Sequence, residues 1–381
     1  MLSLHTNSAA LTAQMSLGRS AGRMELAMTR LGTGLRINSA MDDAAGLQIA
    51  TRLSSQSHGI VAAMANLQKS LSLLQTGEGA LGETTNILTR MQDLAIQAAD
   101  GSATKADRGA LQAEFAALSQ ELGHISSDTS FGGAKLLLGD TVTEKATINA
   151  AAASAAAAAA SAGAALASAQ ASNAAAIAAD QAGSTPATQA ARGAAAGALV
   201  SAADNAGVAT TAANDAQQYA TAVAAVTGVD GMFSKPVQFQ IGASRSETMT
   251  VDLTPQLNDM QAALHGASST YDTFGVQRQG NGSDLVVASA ASAVIGRVQT
   301  ALDAVAVVRA TMGATANRMS HVYGNLSNIN INTTIAQGRI MDADYAQESA
   351  DMVSNQMLMQ AGGKVLRQSG SMASMLMSLL R

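Results

Sequence analysis

The five histidines are the side chains best suited to acid–base or metal chemistry, and they lie far apart along the sequence. None belongs to an H-E-x-x-H motif, which would place two imidazoles and a carboxylate on one face of a helix. No serine stands in a recognisable arrangement with a histidine and an acid. We therefore predict neither a metalloprotease centre nor a nucleophilic triad. The histidines are His5, His58, His124, His265 and His321.

Closely spaced carboxylates are the next candidates for chemistry. Asp42 precedes Asp43 directly, and Asp342 and Asp344 are two residues apart. A hard cation needs more oxygen ligands than a pair supplies, together with a loop that holds them. We interpret these acids as helix caps or partners in salt bridges. The sequence therefore predicts no enzyme, no cofactor and no metal.

Composition favours helices that pack through small side chains. Of the 381 residues 48% are hydrophobic and only 2% aromatic, and much of the hydrophobic fraction is alanine. A globular enzyme of this length normally uses more aromatic side chains. Only 13% of the residues are charged, the net charge is −5, and no basic block indicates a nucleic-acid partner. Cysteine is absent, which excludes disulfides and thiolate metal sites.

No targeting or membrane segment is expected. The opening MLSLHTNSAALTAQ lacks the basic and apolar regions of a Sec signal peptide. The alanine run at residues 150–160 is apolar, but alanine transfers only weakly into lipid. We expect a soluble protein that stays inside the cell or leaves it by a route other than Sec.

Two long helices with heptad spacing are predicted, one in each half of the chain. Their apolar residues alternate steps of three and four, which is the pattern of helices that lie along one another. Each helix would be roughly 50 Å long at 1.5 Å per residue, and neither can bury its stripe alone. The first row is Ile60, Met64, Leu67, Leu71, Leu74, Leu81, Leu88 and Ala95, with Glu78, Thr85 and Gln92 as polar members. The second is Ile295, Val298, Leu302, Val305, Met312, Ala316, Met319, Tyr323 and Leu326, with Arg309 as its polar member.

Between these helices the pattern changes three times. Residues 104–125 predict a third helix. Residues 237–253 alternate apolar and polar side chains around a Gly-Ala-Ser-Arg-Ser turn, which predicts a β-hairpin. The alanine-rich residues 141–232 predict two helices joined near residues 183–186, with a mobile linker as the alternative. We expect residues 140–232 to be dispensable for the rest of the fold.

Several segments resemble the bacterial flagellin family. RLGTGLRINSAMDDAAGLQIATRL at residues 30–53 resembles its N-terminal signature, and NILTRMQDLAIQAADG at residues 86–101 its second block. FGGAKLLLG at residues 131–139 is similar to the end of that region. Residues 339–381 resemble the flagellin C-terminal region almost throughout. The opening MLSLHTNS is more similar to lateral-type members.

The resemblance implies a mainly α protein whose two termini form an inner coiled-coil domain of a helical filament. Residues 1–42 and 339–381 would form that inner domain. Residues 43–140 and 285–338 would form a rod domain, to which residues 233–284 add a hairpin and connector. The alanine-rich residues 141–232 would be a variable outer insertion. The protein would be extracellular, in the flagellar filament, and would polymerise with itself for swimming or swarming.

The resemblance also implies which residues make contacts with partners. Apolar chain ends predict self-assembly, and an intramolecular core helix is the alternative. A flagellar export chaperone would hold the C-terminal segment before type III export, and hook-associated junction and cap proteins would meet the filament ends. Gly32 and Gly34 are predicted as hinges or as turn residues. The predicted self-assembly residues are Leu4, Leu11, Met15, Leu366, Met372, Met375, Leu376, Leu379 and Leu380.

A host Toll-like receptor is a further partner that the resemblance implies. Arg90, Leu94 and Glu114 occupy the positions of the family's receptor contact, although Gln92 and Asp93 depart from its pattern. Ordinary surface or packing roles are the alternative for all three.

Three other kinds of protein are alternatives to a member of the flagellin family. A hook–filament junction protein shares the terminal helices, and an unrelated coiled-coil adaptor explains the heptads but not the terminal signatures. A helical enzyme would need a convergent polar site, which the sequence does not show.

Overall fold

The part of the chain that the structure describes is built almost entirely from helices. The computed structural model describes residues 7–226, 230–274 and 282–379, with side chains through residue 371. This confirms the predicted mainly α fold with long coiled-coil helices. The helices are α1 (Ser8–Thr33), α2 (Ala44–Ala99), α3 (Lys105–Asp128), α4 (Thr141–Ala182), α5 (Pro186–Ala224), α6 (Thr254–Ala267), α7 (Ala288–Met341) and α8 (Tyr345–Leu379).

Two small antiparallel hairpins interrupt the helices. β1 (Ser130–Phe131) pairs with β2 (Ala134–Lys135), and β3 (Val237–Gln240) pairs with β4 (Thr248–Val251). The second hairpin was predicted. The first is too short to show an alternating pattern, although turn residues do follow α3.

The chain divides into two compact units. The terminal unit comprises Met1–Met64, Gly242–Arg245 and Gly324–Arg381, and the central unit comprises Ala65–Ile241 and Ser246–Tyr323. Helices α2 and α7 each contribute residues to both units.

In the central unit α2 and α7 run antiparallel. Gln68 Nε2 donates to the Tyr323 hydroxyl at 3.1 Å, and Gln92 Nε2 donates to Gln299 Oε1 at 3.1 Å. Low residue numbers on one helix therefore face high numbers on the other. The two predicted heptad rows do pack together, as neither could be buried alone.

The buried row of α2 differs from the predicted one at every second position. Met64, Leu71 and Thr85 are only half-buried, and Glu78 is exposed. The residue before each of them faces inward instead. The row that the structure buries is Ile60, Ala63, Leu67, Ser70, Leu74, Gly77, Leu81, Thr84, Leu88, Met91, Ala95 and Ala98.

The same one-residue correction applies to α7. Ile295 and Leu302 are half-buried, and Arg309 lies beside the row, 4.0 Å from the Glu78 carboxylate. Small or short side chains such as Ala301 occupy the true positions, and they gave little hydrophobic signal. The buried residues of α7 are Ala291, Val294, Val298, Ala301, Val305, Val308, Met312, Met319, Leu326 and Thr333.

The alanine-rich segment forms a helical hairpin, as predicted. Helices α4 and α5 pack on each other along their length, and the residues that face inward on α4 recur at steps of three and four. By length and composition α4 and α7 could each cross a membrane; α4 packs on α5 instead, and α7 packs on α2. The inward row of α4 is Ile148, Ala152, Ala155, Ala159, Ala162, Leu166, Ala169, Asn173, Ala176 and Asp180.

The tip of this hairpin is closed by polar contacts. Asp180 Oδ2 lies 3.1 Å from Arg192 Nη1, and Asp180 Oδ1 accepts from Ser184 and Thr188. Thr185 and Thr188 form a reciprocal N-terminal cap for α5. The predicted break therefore coincides with a capped turn.

The base of the hairpin is anchored by a buried polar cluster. Glu144 Oε1 lies 3.1 Å from His265 Nε2 and accepts a hydrogen bond from Thr273, and both members of the His–Glu pair are almost fully buried. The Tyr271 hydroxyl donates to Gln261 Oε1 at 2.7 Å. Burial raises the pKa of Tyr271 well above its ordinary value, which keeps this hydroxyl a donor.

Helix α6, which supplies His265, was not predicted. Residues 233–284 are predicted only as a hairpin and connector, whereas Pro255 lies in the first turn of α6, where a missing N–H costs nothing. The helix is only 14 residues long. The alternating strand pattern comes directly before α6, so the helical spacing of the apolar residues in α6 was not recognised.

Candidate assembly surface

Helix α1 begins and ends at defined caps. Asn7 Oδ1 accepts a hydrogen bond from the Ala10 N–H at 3.1 Å, which satisfies one free donor of the first turn. At the other end Gly34 has φ +74°, and its N–H donates to the Arg30 carbonyl. Gly34 is therefore a turn residue, since only glycine adopts this conformation without strain.

Helices α1 and α8 form an antiparallel pair. Asn7 Nδ2 donates to Ser369 Oγ at 2.9 Å at one end. The residues that face the partner recur at steps of three and four on both helices, which is coiled-coil spacing. On α1 these are Ala13, Leu17, Ser20, Met24, Ala27 and Leu31; on α8 they are Glu348, Met352, Asn355, Met359, Gly362, Leu366 and Ser369.

A salt bridge and a glycine fix the register of this pair. Arg30 Nη1 lies 2.8 Å from Glu348 Oε1, and both side chains are largely buried. A Cβ at Gly362 would lie 3.2 Å from Leu17 Cδ1, so the two helices approach most closely there. A buried ion pair of this kind disfavours a shifted register, because a shift would leave both charges unpaired.

A second apolar face remains uncovered on the pair. Leu11 is 53% exposed, Met15 57%, and Met357 63%, and Leu358 and Val365 are exposed as well. A groove of about 640 Å³ runs between the helices, lined mainly by alanine, serine and leucine side chains. Leu358 and Val365 line this groove, whereas Leu11, Met15 and Met357 lie outside it.

The two connectors that lead to this pair are bonded to each other. The Arg36 N–H donates to the Met341 carbonyl at 2.6 Å, and the Ala343 N–H donates to the Gly34 carbonyl at 2.9 Å. Arg36 Nη2 also donates to the Ile340 carbonyl at 2.7 Å. These bonds tie the segment after α1 to the segment before α8.

Three of the four paired carboxylates accept hydrogen bonds from nearby backbone N–H groups, as expected of capping residues, and Asp344 accepts from the Ala346 N–H at 2.9 Å. Asp42 Oδ2 accepts from the Asn38 and Ser39 N–H groups, and Asp43 Oδ1 accepts from the Gly46 N–H. The hydrogen bonds from Ser39 and Asn38 hold the pKa of Asp42 below its ordinary value. Among the described residues, no three His, Asp or Glu side chains come together in a way that could hold a metal ion.

Comparison with known proteins identifies the chain at both ends and over its full length. The bacterial flagellin N-terminal helical region matches residues 4–143, and the flagellin C-terminal helical region matches residues 295–380. Flagellin D of Vibrio cholerae is 34% identical over 387 aligned positions, which cover 100% of this chain and 99% of the relative. The chain belongs to the bacterial flagellin family.

A second Vibrio flagellin gives the same result, and one solved flagellin structure is also similar. Polar flagellin A of Vibrio parahaemolyticus is 34% identical, with 100% of this chain and 99% of the relative covered. A crystal structure of Bacillus cereus flagellin is 21% identical, covers 69% of this chain and 88% of its own, and superposes with a TM-score of 0.38.

As a flagellin, the chain is a structural subunit that polymerises with itself into the extracellular flagellar filament used for motility. It is exported by the flagellar type III apparatus, as the family is.

The structure describes some of the predicted self-assembly residues. Leu11 and Met15 are exposed on α1, whereas Leu366 is half-buried in the row that faces α1. Leu4 and Leu380 lie outside the described residues. Met372, Met375, Leu376 and Leu379 lie on α8, and their side chains are beyond the described ones.

The predicted receptor residues of this flagellin do not form one exposed set. Arg90 Nη2 lies 2.7 Å from Glu114 Oε1, and both side chains are about half exposed. Leu94 is fully buried and therefore cannot contact a partner of the folded subunit. Its place in α2 is a packing position, which was the stated alternative.

Some surface residues of this flagellin were not singled out from the sequence. Met357, Leu358 and Val365 extend the exposed apolar face, and Met41 is 95% exposed on the loop before α2. Heptad spacing predicts which residues face the partner helix, but it does not predict which apolar residues stay outside.

Proposed function

We propose that α1 and α8 line the inside of the filament and that their exposed apolar face contacts neighbouring subunits there. In this proposal residues 1–42 and 339–381 form the inner domain, and residues 43–140 and 233–338 form the rod around it. Residues 141–232 project outward. A polymer of this kind needs surface that a single subunit leaves uncovered.

The proposal rests on the observation that the α1–α8 pair has a complete row of facing residues and still exposes large apolar side chains outside that row. Leu11, Met15 and Met357 lie outside the row and are more than half exposed. Covering apolar surface contributes roughly 25 cal/mol for each Å² removed from water. Neighbouring copies are the partner that a homopolymer supplies.

Truncation after Met352 tests the proposal, because it removes most of α8 and all of its exposed face beyond the connector. We expect the purified truncated protein to fold in its central unit, judged by circular dichroism, but to form no filaments on preformed seeds under electron microscopy. A Met357→Ser/Leu358→Ser variant keeps α8 and should elongate more slowly. Normal filaments from the truncated chain would refute the proposal.

We further propose that α8 binds the export chaperone before secretion. The segment is methionine-rich and amphipathic, which suits an adaptable helix-in-groove contact. Junction and cap proteins of the hook-associated class would meet the same inner helices at the ends of the filament. Binding of the chaperone to the chain truncated after Met352 should be lost.

A host Toll-like receptor would contact Arg90 and Glu114 together, in our proposal, since both are exposed and paired. Glu114→Ala should then lower receptor activation while filament assembly is unchanged. Leu94→Ala is the control, because Leu94 is buried. Any effect of this substitution on receptor activation must come from a change in stability and not from a lost contact with the receptor. The lateral type suggested by the N-terminal residues and the lack of catalysis are proposals as well.

A further inference from the structure

Unpaired positive charge extends from the middle of the α1–α8 pair towards the end that holds the Asn7–Ser369 contact. Arg19 and Arg23 on α1 and Lys364 and Arg367 on α8 are exposed, and none forms an ion pair among the described residues. No aspartate or glutamate occurs at positions 1–24 or 352–381 of the sequence. This end, which holds the Asn7–Ser369 contact, is called the basic end below.

Negative charge gathers at the other end, around the connectors. Asp42, Asp342, Asp344 and Asp351 are exposed and form no ion pair within the described chain. Asp342 and Asp344 line a groove of about 570 Å³ together with Arg339 and the exposed Ile335. The exposed Arg36 and Arg339 offset part of this negative charge, but the aspartates outnumber them. This end is called the acidic end below.

Each end also carries exposed apolar side chains beside its charges. Leu11, Met15 and Val365 are exposed at the basic end. Met41 and Tyr345 are exposed at the acidic end. An apolar centre with a charged rim is the usual composition of a protein interface, and here the two rims have opposite sign.

We propose that the basic end of one subunit docks on the acidic end of the next copy of this chain, so that Lys364 and Arg367 meet Asp342 and Asp351. The inference rests on the proposed role of α1 and α8 in assembly and names the surfaces that meet. The basis is charge complementarity between the two ends. The charged residues named at each end form no ion pair among the described residues.

Opposite charges at opposite ends give the contact a direction. Two basic ends or two acidic ends repel each other, which disfavours closed two-fold dimers. A head-to-tail contact uses two different surfaces, and such a contact continues into an open polymer unless it closes as a ring. The charge pattern therefore favours filament growth over small closed assemblies.

Charge reversal at one end gives the decisive experiment. Lys364→Glu/Arg367→Glu places two acids opposite Asp342 and Asp351 of the next copy, and Asp342→Lys/Asp351→Lys places two lysines opposite Lys364 and Arg367. Each purified variant alone should elongate on its own seeds about tenfold more slowly than the unaltered chain, since like charges then meet. An equimolar mixture should recover near-normal growth, because each basic end again finds an acidic one.

Asp204→Lys, a reversal at an exposed position of α5, is the matched control and should grow normally. Normal growth of either double variant alone would overturn the proposal. Failure of the mixture to grow, with helix content unchanged by circular dichroism, would overturn it too. If the unaltered chain formed no filaments, the assembly role itself would fall, which is a distinct result.

Salt provides a second test that needs no variant. Raising sodium chloride from about 20 to 300 mM screens exposed charges, so the elongation rate on seeds should fall several-fold for the unaltered chain. The chain with all four reversals, in which the four contacting charges are exchanged in sign, should assemble and show the same dependence. A rate that does not change with salt would contradict docking through charged ends.

Discussion

Glycine has opposite roles at different positions of this flagellin. Gly163 and Gly197 lie within the alanine hairpin, and a Cβ at either would meet nothing within 4 Å. At Gly123 of α3 a Cβ would lie 2.0 Å from the Asp272 carbonyl oxygen. A contact with backbone atoms cannot be relieved by a rotamer change. The surroundings of a glycine therefore decide whether its replacement by alanine stabilises or destabilises the protein.

Gly163→Ala should therefore stabilise the hairpin by about 0.5–1 kcal/mol, because alanine loses less backbone entropy in a helix interior. Gly123→Ala should destabilise the central unit by more than that gain, as it forces α3 away from residue 272. Urea unfolding followed by circular dichroism checks both. Equal effects of the two substitutions would contradict the close approach at Gly123.

Asp230 is an anion held by its hydrogen-bond donors. Lys235 Nζ donates to Oδ2 at 2.9 Å, and the Thr141 N–H and hydroxyl donate to Oδ1. These bonds, with Lys235 first, lower the pKa of Asp230 to about 2. A lowered pKa means that the bonds contribute stability above the unfolded value near 4 and lose it as the pH falls towards 2.

Asp230→Asn should accordingly cost roughly 1 kcal/mol at pH 6, a figure reduced for the partial exposure of the group. The difference from the unaltered chain should shrink as the pH falls from about 4 to 2, because both side chains are then neutral. Urea unfolding at several pH values measures it. A difference that is constant over that range would show that the charge of Asp230 contributes nothing.

At the scale of elements, the residues of α2 and α7 that face inward decide which substitutions destabilise the central unit. Val305 is fully buried, whereas Leu302, which the sequence placed in the row, is half-buried. A charge at a buried position has no partner and no water. A charge at a half-buried position can reach solvent.

Val305→Asp should destabilise the central unit by several kcal/mol, and Leu302→Asp should cost clearly less. Thermal unfolding of the two variants compares them directly, with Val307→Asp, at an exposed position of α7, as the control. If Leu302→Asp destabilised the central unit more than Val305→Asp, the row predicted from the sequence would be the correct one.

At the scale of the whole molecule, the alanine hairpin is not one dispensable insertion. Its outer part packs mainly through alanine side chains, but its base joins the core through Glu144 and Tyr219. Tyr219 is buried and donates to Asp272 at 3.0 Å. Removing the base would leave His265 and Thr273 buried without their carboxylate partner, which is costly.

Replacing residues 156–213 by a short turn should leave stability of the central unit and filament growth intact, because Glu144, Ile148, Tyr219 and Val223 stay in place. Deleting all of residues 140–232 should lower the unfolding midpoint and reduce assembly. Calorimetry and seeded growth of both shortened chains test this. Equal behaviour of the two deletions would mean that the buried cluster adds no stability.

The sequence by itself determined the family, the helical class and the places where the helices break. The terminal segments, the two long helices and the break near residues 183–186 follow from local patterns, and each was confirmed because helix propensity and capping act over a few residues. The heptad rows were wrong by one residue at several positions. The β3–β4 hairpin was predicted for the same reason.

Only the tertiary structure decided the inward positions of small residues, the buried Glu144–His265 pair and the packing role of Leu94. Alanine, serine and glycine bury too little apolar area to indicate the inward face of a helix. The burial of Ala63, Ser70 and Gly77 beside larger apolar neighbours was therefore not predicted. Glu144 and His265 are 121 residues apart. Their meeting depends on how α4 and α6 pack, which no local pattern encodes.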